Sequence, residues 1–383
     1  MDSLNSLIML SPTQRYLFDT LGYIVLRGAI SSSEIEAMRT ALAVNSSDFH
    51  ERSGELRNSR GAPFVGDGHT GRRDCGRMLE WEDDAHASPF RRLLAHPRVV
   101  PALHDLVGIG YRLDHAPLVF ASPAGGEGFD LHGGACKSDG RPYRELAYDC
   151  ANGHMACSLL AMAVTIGDAT RSGEGGFVIM PGSHKSNFAV PPGVHALEDG
   201  ASELLHNPAL SAGDVVLFSE AATHGALPWS GAGSLGRIVA LYRFAPSTHA
   251  YGRAYLDNYG LSDAALGRLS PEQRAVLAPP YHARLDRVCV DLQVEEASVH
   301  EEGGGGGGGG GDGDGSDAKC NQDGLYDFHV HGHQKPGSAP GTNGSISAAD
   351  PPPVSVSVST LVPFPRNRQK KDFDKAIFGT PYF

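Results

Sequence analysis

Two of the eighteen histidines stand where a metal could be held. His132 lies in Leu131-His132-Gly133-Gly134, and His224 lies in Glu220-Ala221-Ala222-Thr223-His224-Gly225, just past the apolar run Val215–Ser219. A glycine beside a histidine lets backbone and ligand approach closely. Thirteen residues after His224 comes Arg237, which opens the next apolar run. Imidazole suits iron, and a guanidinium grips a carboxylate through paired charge-assisted hydrogen bonds. Two imidazoles with an arginine on an adjacent strand therefore suit an iron centre that takes a dicarboxylate co-substrate. Spacing alone leaves a blander alternative open, because an isolated histidine is ordinarily a surface or satisfied core residue.

The elements that must position these residues are legible as short strands. Leu118–Ser122, Cys157–Ile166, Phe177–Met180, Val215–Ser219 and Ile238–Phe244 are apolar runs rich in branched and aromatic residues, separated by glycine and proline. This is the pattern of a sandwich or barrel. The turn Ser172-Gly173-Glu174-Gly175-Gly176 is expected to join two of the runs as a hairpin. Helices are expected before and after them. Ser11-Pro12-Thr13-Gln14 is a capping box with proline at the first helical position, closed by Gly22 ahead of the strand Tyr23-Ile24-Val25-Leu26. Ser31 with Glu34 starts a second helix carrying Ile35, Met38 and Leu42. Residues 44–90 look irregular, residues 91–106 helical, and Ser270-Pro271-Glu272-Gln273 marks a late helix start. The expectation is a mainly β fold with flanking helices.

Composition bounds the rest. The 383 residues carry 32 Lys+Arg against 44 Asp+Glu, a formal charge of −12 that argues against a phosphate-backbone binder. The longest apolar stretch, Ala156 to Ile166, is too short for a membrane span, and the start MDSLNSLIML does not read as a signal peptide. Six cysteines without a C-x-x-C pair fit a reducing, cytoplasmic setting. Seventeen of the 49 glycines fall from Gln293 onward, nine of them in the run Gly303 to Gly311. The expected organisation is a domain at 1–292, a low-complexity flexible linker at 293–365, and a basic and aromatic segment at 366–383, read as a frayed terminus or as a docking peptide for the chain's own surface or a protein partner. The calcium-loop spacing from Asp312 fails at its glycine and glutamate positions. His329, His331 and His333 read as adventitious.

The ordered motifs carry a resemblance. Leu10-Ser11-Pro12-Thr13-Gln14, Phe18 and Gly22-Tyr23-Ile24-Val25-Leu26-Arg27-Gly28 resemble the opening signature of the phytanoyl-CoA dioxygenase family of non-haem iron, 2-oxoglutarate-dependent oxygenases. Pro181-Gly182-Ser183-His184-Lys185 and Ala212-Gly213-Asp214-Val215-Val216-Leu217-Phe218 are similar to later family motifs. Leu131-His132-Gly133-Gly134 and Thr223-His224-Gly225-Ala226-Leu227-Pro228-Trp229 resemble one branch of it. The resemblance runs from about residue 8 to 285. It implies a double-stranded β-helix, the jelly-roll or cupin-like barrel.

It further implies that His132 and His224 are the histidine ligands of Fe(II), and that Arg237 pairs with the distal carboxylate of 2-oxoglutarate. O2 would be the oxidant, ascorbate a supporting reductant, and His184 a structural residue. One departure stands out: the family's His-x-Asp has Gly134 in its third place. Another carboxylate could reach the metal, with Glu174 ahead of Asp130 and Asp139. Alternatively the position is vacant and takes chloride, as in iron halogenases of similar fold, or the barrel is a catalytically silent binding module. The leading expectation is hydroxylation of a small organic substrate, with Tyr143, Arg144, Asn152 and His154 near the entrance.

Overall fold

The computed structural model describes residues 10–280 except 60, 169, 199 and 252–260. The linker at 293–365, the segment at 366–383 and the histidines at 329, 331 and 333 lie outside the described residues. Among those described, the helices are α1 (Pro12–Leu21), α2 (Ser32–Val44), α3 (Asp84–Arg92), α4 (Val100–Leu106), α5 (Pro192–His195), α6 (Asp263–Gly267) and α7 (Pro271–Leu277). The strands are β1 (Tyr23–Leu26), β2 (His50–Arg52), β3 (Arg72–Cys75), β4 (Arg112–Ser122), β5 (Phe129–His132), β6 (Tyr148–Ala151), β7 (His154–Cys157), β8 (Leu160–Thr165), β9 (Gly176–Ile179), β10 (Val215–Ser219), β11 (His224–Leu227) and β12 (Arg237–Ala245).

They form a seven-stranded sheet ordered β1-β10-β8-β12-β4-β3-β2, a three-stranded sheet ordered β5-β11-β9, and a β6-β7 ribbon. Every pairing is antiparallel. The two sheets face each other across a cavity that both line, the mainly β jelly-roll arrangement with flanking helices that the sequence led us to expect. Alternation explains why its central strands are apolar throughout. Along β10, Val215 and Leu217 join the large core, whereas Val216 and Phe218 point to the inner cluster. In β8, Leu160, Met162 and Val164 face outward to the helices and Ala161 faces inward. Phe18 of α1, Ile35 and Met38 of α2, Phe90 of α3 and Leu103 of α4 cover the outer face.

Local signals held where they were strongest. Ser11, Ser31 and Ser270 each form a complete capping box. Gly22 closes α1 at φ +82, and a Cβ there would sit 2.6 Å from His184 Nδ1.

Three expectations need correction. The glycine-rich turn at 172–176 closes no hairpin. β8 already has β10 on one side and β12 on the other, so the chain leaves that sheet and pairs β9 with β11. The stretch 91–106 is not one helix: α3 ends at Arg92, a 3-10 turn spans Leu93–Ala95, and α4 begins with Pro101 in its first turn. Pro97 and Pro101 lack the N–H that an unbroken helix requires. Residues 44–90 hold two strands, β2 and β3, and most of α3; the strands were hidden because β3 buries Arg72 and Asp74 beside a single apolar residue, Cys75.

Candidate metal and co-substrate site

β5 and β11 are neighbours, and their register sets His132 directly opposite His224, with ring centroids 4.2 Å apart. Both histidines thus lie on strands, two short ones that the sequence reading did not delimit. Each ring is oriented by its own backbone. His132 Nδ1 donates to the Asp130 carbonyl at 2.9 Å, and His224 Nδ1 donates to the Ala222 carbonyl at 2.8 Å. A carbonyl only accepts, so each proton sits on Nδ1 and each Nε2 keeps its lone pair. Burial, and then the neighbouring His224, push the His132 imidazole down to about 3. Burial likewise lowers His224. Both rings are therefore neutral at physiological pH, the state in which imidazole binds metal.

The carboxylate that joins them is Glu220. His132, Glu220 and His224 each offer one ligand atom, and these atoms lie within 4.8 Å of one another. Glu220 Oε2 stands 3.6 Å from His224 Nε2, while Arg243 Nε donates to Glu220 Oε1 at 2.6 Å. Burial would raise this carboxyl, but Arg243 and then the two histidines outweigh it and hold it at about 2. Glu220 is only 5 % exposed. It belongs to the very motif that contains His224. Its distance in sequence from His132 gave no sign that the two would meet.

The other carboxylates named from sequence are not brought to the histidines. Glu174 turns its carboxylate back to accept from the Arg171 amide at 2.8 Å. Asp139 is exposed and paired with Arg141. Asp130 contributes its carbonyl, and its side chain is exposed. Gly134 has φ +108, and a Cβ there would first meet Val190 Cγ2 at 3.3 Å. His184 is buried against Tyr148, with Nε2 on the Asp19 carbonyl at 3.0 Å, and burial lowers it to about 4.

Arg237 reaches the same cavity from β12. The cavity encloses about 130 Å³ and is walled by Phe120, Phe129, Phe177 and Phe218, with His132, His224, Arg237 and Arg243 among its polar lining. The Arg237 guanidinium lies over the Phe120 ring, 5.0 Å from its centroid. It is buried, and no acid among the described residues lies within ion-pair distance of it. Burial, and then repulsion from Arg72, push it down to about 10. Arg72 also lines the cavity but is occupied by Asp74, at 2.7 Å through both Nε and Nη2. Tyr143, Arg144, Asn152 and His154 do not line the cavity; Asn152 is the turn between β6 and β7, at φ +53.

The donor set fits a divalent transition metal: two imidazole nitrogens with free lone pairs and one carboxylate oxygen, Glu220 and His224 buried and His132 half-buried. The cation on Arg237 fits a second, anionic group that shares the cavity.

The phytanoyl-CoA dioxygenase family matches residues 18–235. HygX from Streptomyces hygroscopicus, in a crystal structure with nickel and 2-oxoglutarate bound, is 23% identical, with a TM-score of 0.50 over 64% of this chain and 90% of HygX. SnoK, a non-haem alpha-ketoglutarate-dependent carbocyclase from nogalamycin biosynthesis, is 16% identical, with a TM-score of 0.43 over 72% of this chain and 94% of SnoK. The likeness to HygX speaks for the fold. No curated protein matches.

Proposed function

Because this chain belongs to the phytanoyl-CoA dioxygenase family, we propose that it is a non-haem Fe(II)- and 2-oxoglutarate-dependent oxygenase that hydroxylates a small organic substrate. One observation carries the reading. An arginine that is buried, with no acid partner among the described residues, opens into the same cavity as two histidines whose Nε2 atoms keep their lone pairs. Leaving a guanidinium buried and unpaired is costly unless a ligand supplies the missing charge.

His132 and His224 would hold the iron, and their Nδ1 bonds to carbonyls fix each ring before metal arrives. Arg237 would receive the distal carboxylate of 2-oxoglutarate. Its stacking on Phe120 limits the guanidinium's freedom, so less entropy is lost when the carboxylate docks. Bound iron would supply the centre at which O2 oxidises the co-substrate and, through it, the substrate. The phenylalanines give the cavity an apolar wall, and low polarity would strengthen the Arg237–carboxylate attraction. The substrate is a small molecule able to enter a mostly apolar cavity. No described helix is long and apolar enough to cross a membrane.

The test is succinate release by the purified chain with Fe(II), 2-oxoglutarate, O2 and ascorbate, with and without a substrate panel. Turnover should be absent in His132→Ala. Failure of the wild-type chain to bind 2-oxoglutarate, and to release succinate under every condition, would sink the proposal.

A further inference from the structure

We propose that Glu220 is the third protein ligand of the metal, relocated from the position where Gly134 offers no side chain. The inference rests on the iron reading above and specifies its ligand set.

The argument begins from three acceptors that face one another. Both imidazoles spend their proton on a backbone carbonyl, so His132 Nε2 and His224 Nε2 present lone pairs. Glu220 Oε2 presents another, and its 3.6 Å separation from His224 Nε2 is too long for a shared proton. Buried lone pairs held this close repel one another unless a cation lies among them. Two ligand atoms about 2.1 Å from a metal and at right angles to each other lie about 3 Å apart. About 0.6 Å of closure from 3.6 Å would bring Glu220 and His224 to that spacing.

The backbone is built to allow it. Gly133 has φ +83, and a Cβ there would lie 2.4 Å from the Ala222 carbonyl and 2.8 Å from the Glu220 carbonyl. Only glycine lets the turn that carries Glu220 press against the strand that carries His132. That turn is held from both sides: Ser219 N donates to Gly22 O at 3.0 Å, and Glu220 N donates to Leu159 O at 3.1 Å. Arg243 takes Oε1 and leaves Oε2 for the metal, a monodentate arrangement in which Arg243 is a positioning residue. An acid at position 134 would be strained by its positive φ and would start out toward Val190, not toward the imidazoles. With a carboxylate completing the set, no halide is needed in the third place, and the chemistry is oxygenation rather than halogenation.

The test is Co(II) titration of the full chain, read by calorimetry and by the visible d–d spectrum, on the wild type and on E220A, E220Q, E220D, E174A and H132A. E220A and E220Q should bind Co(II) at least about 100-fold more weakly, with an altered spectrum; E220D should recover part of the loss, and E174A should change nothing. Chloride should alter the Co(II) spectrum of E220A and leave the wild type unmoved. E220Q preserves side-chain shape, so it carries the test if E220A fails to fold. Wild-type affinity and spectrum in folded E220Q would overturn the proposal, as would a chloride response in the wild type. If H132A loses Co(II) while E220Q keeps it, the ligand assignment falls and the iron reading stands. If H132A also keeps it, both fall.

Discussion

β12 carries the same side chain twice, at Arg237 and Arg243, and both line one cavity. Positions separated by an even number of residues share a face of a strand, so the two differ in company rather than orientation. Arg243 is matched by Glu220 at 2.6 Å. Arg237 has an aromatic ring beneath it and no acid among the described residues within reach. At Arg243 the fold has supplied its own counter-charge; at Arg237 none of the described acids does, which suits the proposed anionic ligand. A buried cation without a protein partner is a stronger sign of ligand binding than a buried ion pair.

Identical substitutions at the two ends should therefore act oppositely. The largest effect is expected for Arg237→Met, which removes the anchor for a carboxylate. 2-Oxoglutarate affinity, followed by calorimetry with Co(II) present, should fall by about 2–5 kcal/mol, and an unchanged affinity would break the comparison. Next, Arg243→Met should lower the stability of the metal-free chain by about 3 kcal/mol in urea melts, because it strands Glu220 as a buried unpaired charge. Added Co(II) should shrink that deficit, since the metal would compensate the same carboxylate.

A smaller effect concerns pH. A lysine at position 237 begins near 10.4, below arginine, and the burial that lowers the arginine should lower the lysine as well. The charged form binds the carboxylate, so affinity persists below the folded pKa and is lost above it. Arg237→Lys should thus lose 2-oxoglutarate affinity as pH rises, by up to about tenfold per unit, and should do so at a lower pH than the wild type. Smallest of all, Arg237→Met should stabilise the metal-free chain by about 1 kcal/mol, seen as a higher melting temperature, because it removes an uncompensated buried charge.

The sequence made one of these ends easier to read than the other. Arg237 opens an apolar run, and the resemblance to an oxygenase family assigned its role. The two histidines were marked by their glycines and by family motifs. Glu220 was hidden because its neighbour His132 belongs to a strand far away in sequence, and nothing local reports that β5 and β11 pair. Both strands are only four residues long and each carries a histidine, with an acid in β5 and a glycine in β11, so neither period nor propensity distinguishes them. The same limit explains the turn at 172–176. Its glycines announced a reversal correctly, but which strand the chain would meet next depended on the occupied edges of β8. Helix caps, by contrast, are decided within four residues, and Ser11, Ser31 and Ser270 were all legible.

The strand order carries a consequence for the order of events in the cell. β1 is made early, yet it pairs with β10, and Gly22 near its start accepts from Ser219. β4 likewise waits for β12. Contacts between such distant parts of a chain form slowly, because a long loop must close before any of them is gained. His132 therefore emerges from the ribosome well before the strand that completes its surroundings, and Arg243, which aims the carboxylate, comes later still. On the proposed ligand set, metal loading would follow synthesis of β12, and the nascent chain must keep its early apolar strands from aggregating until then.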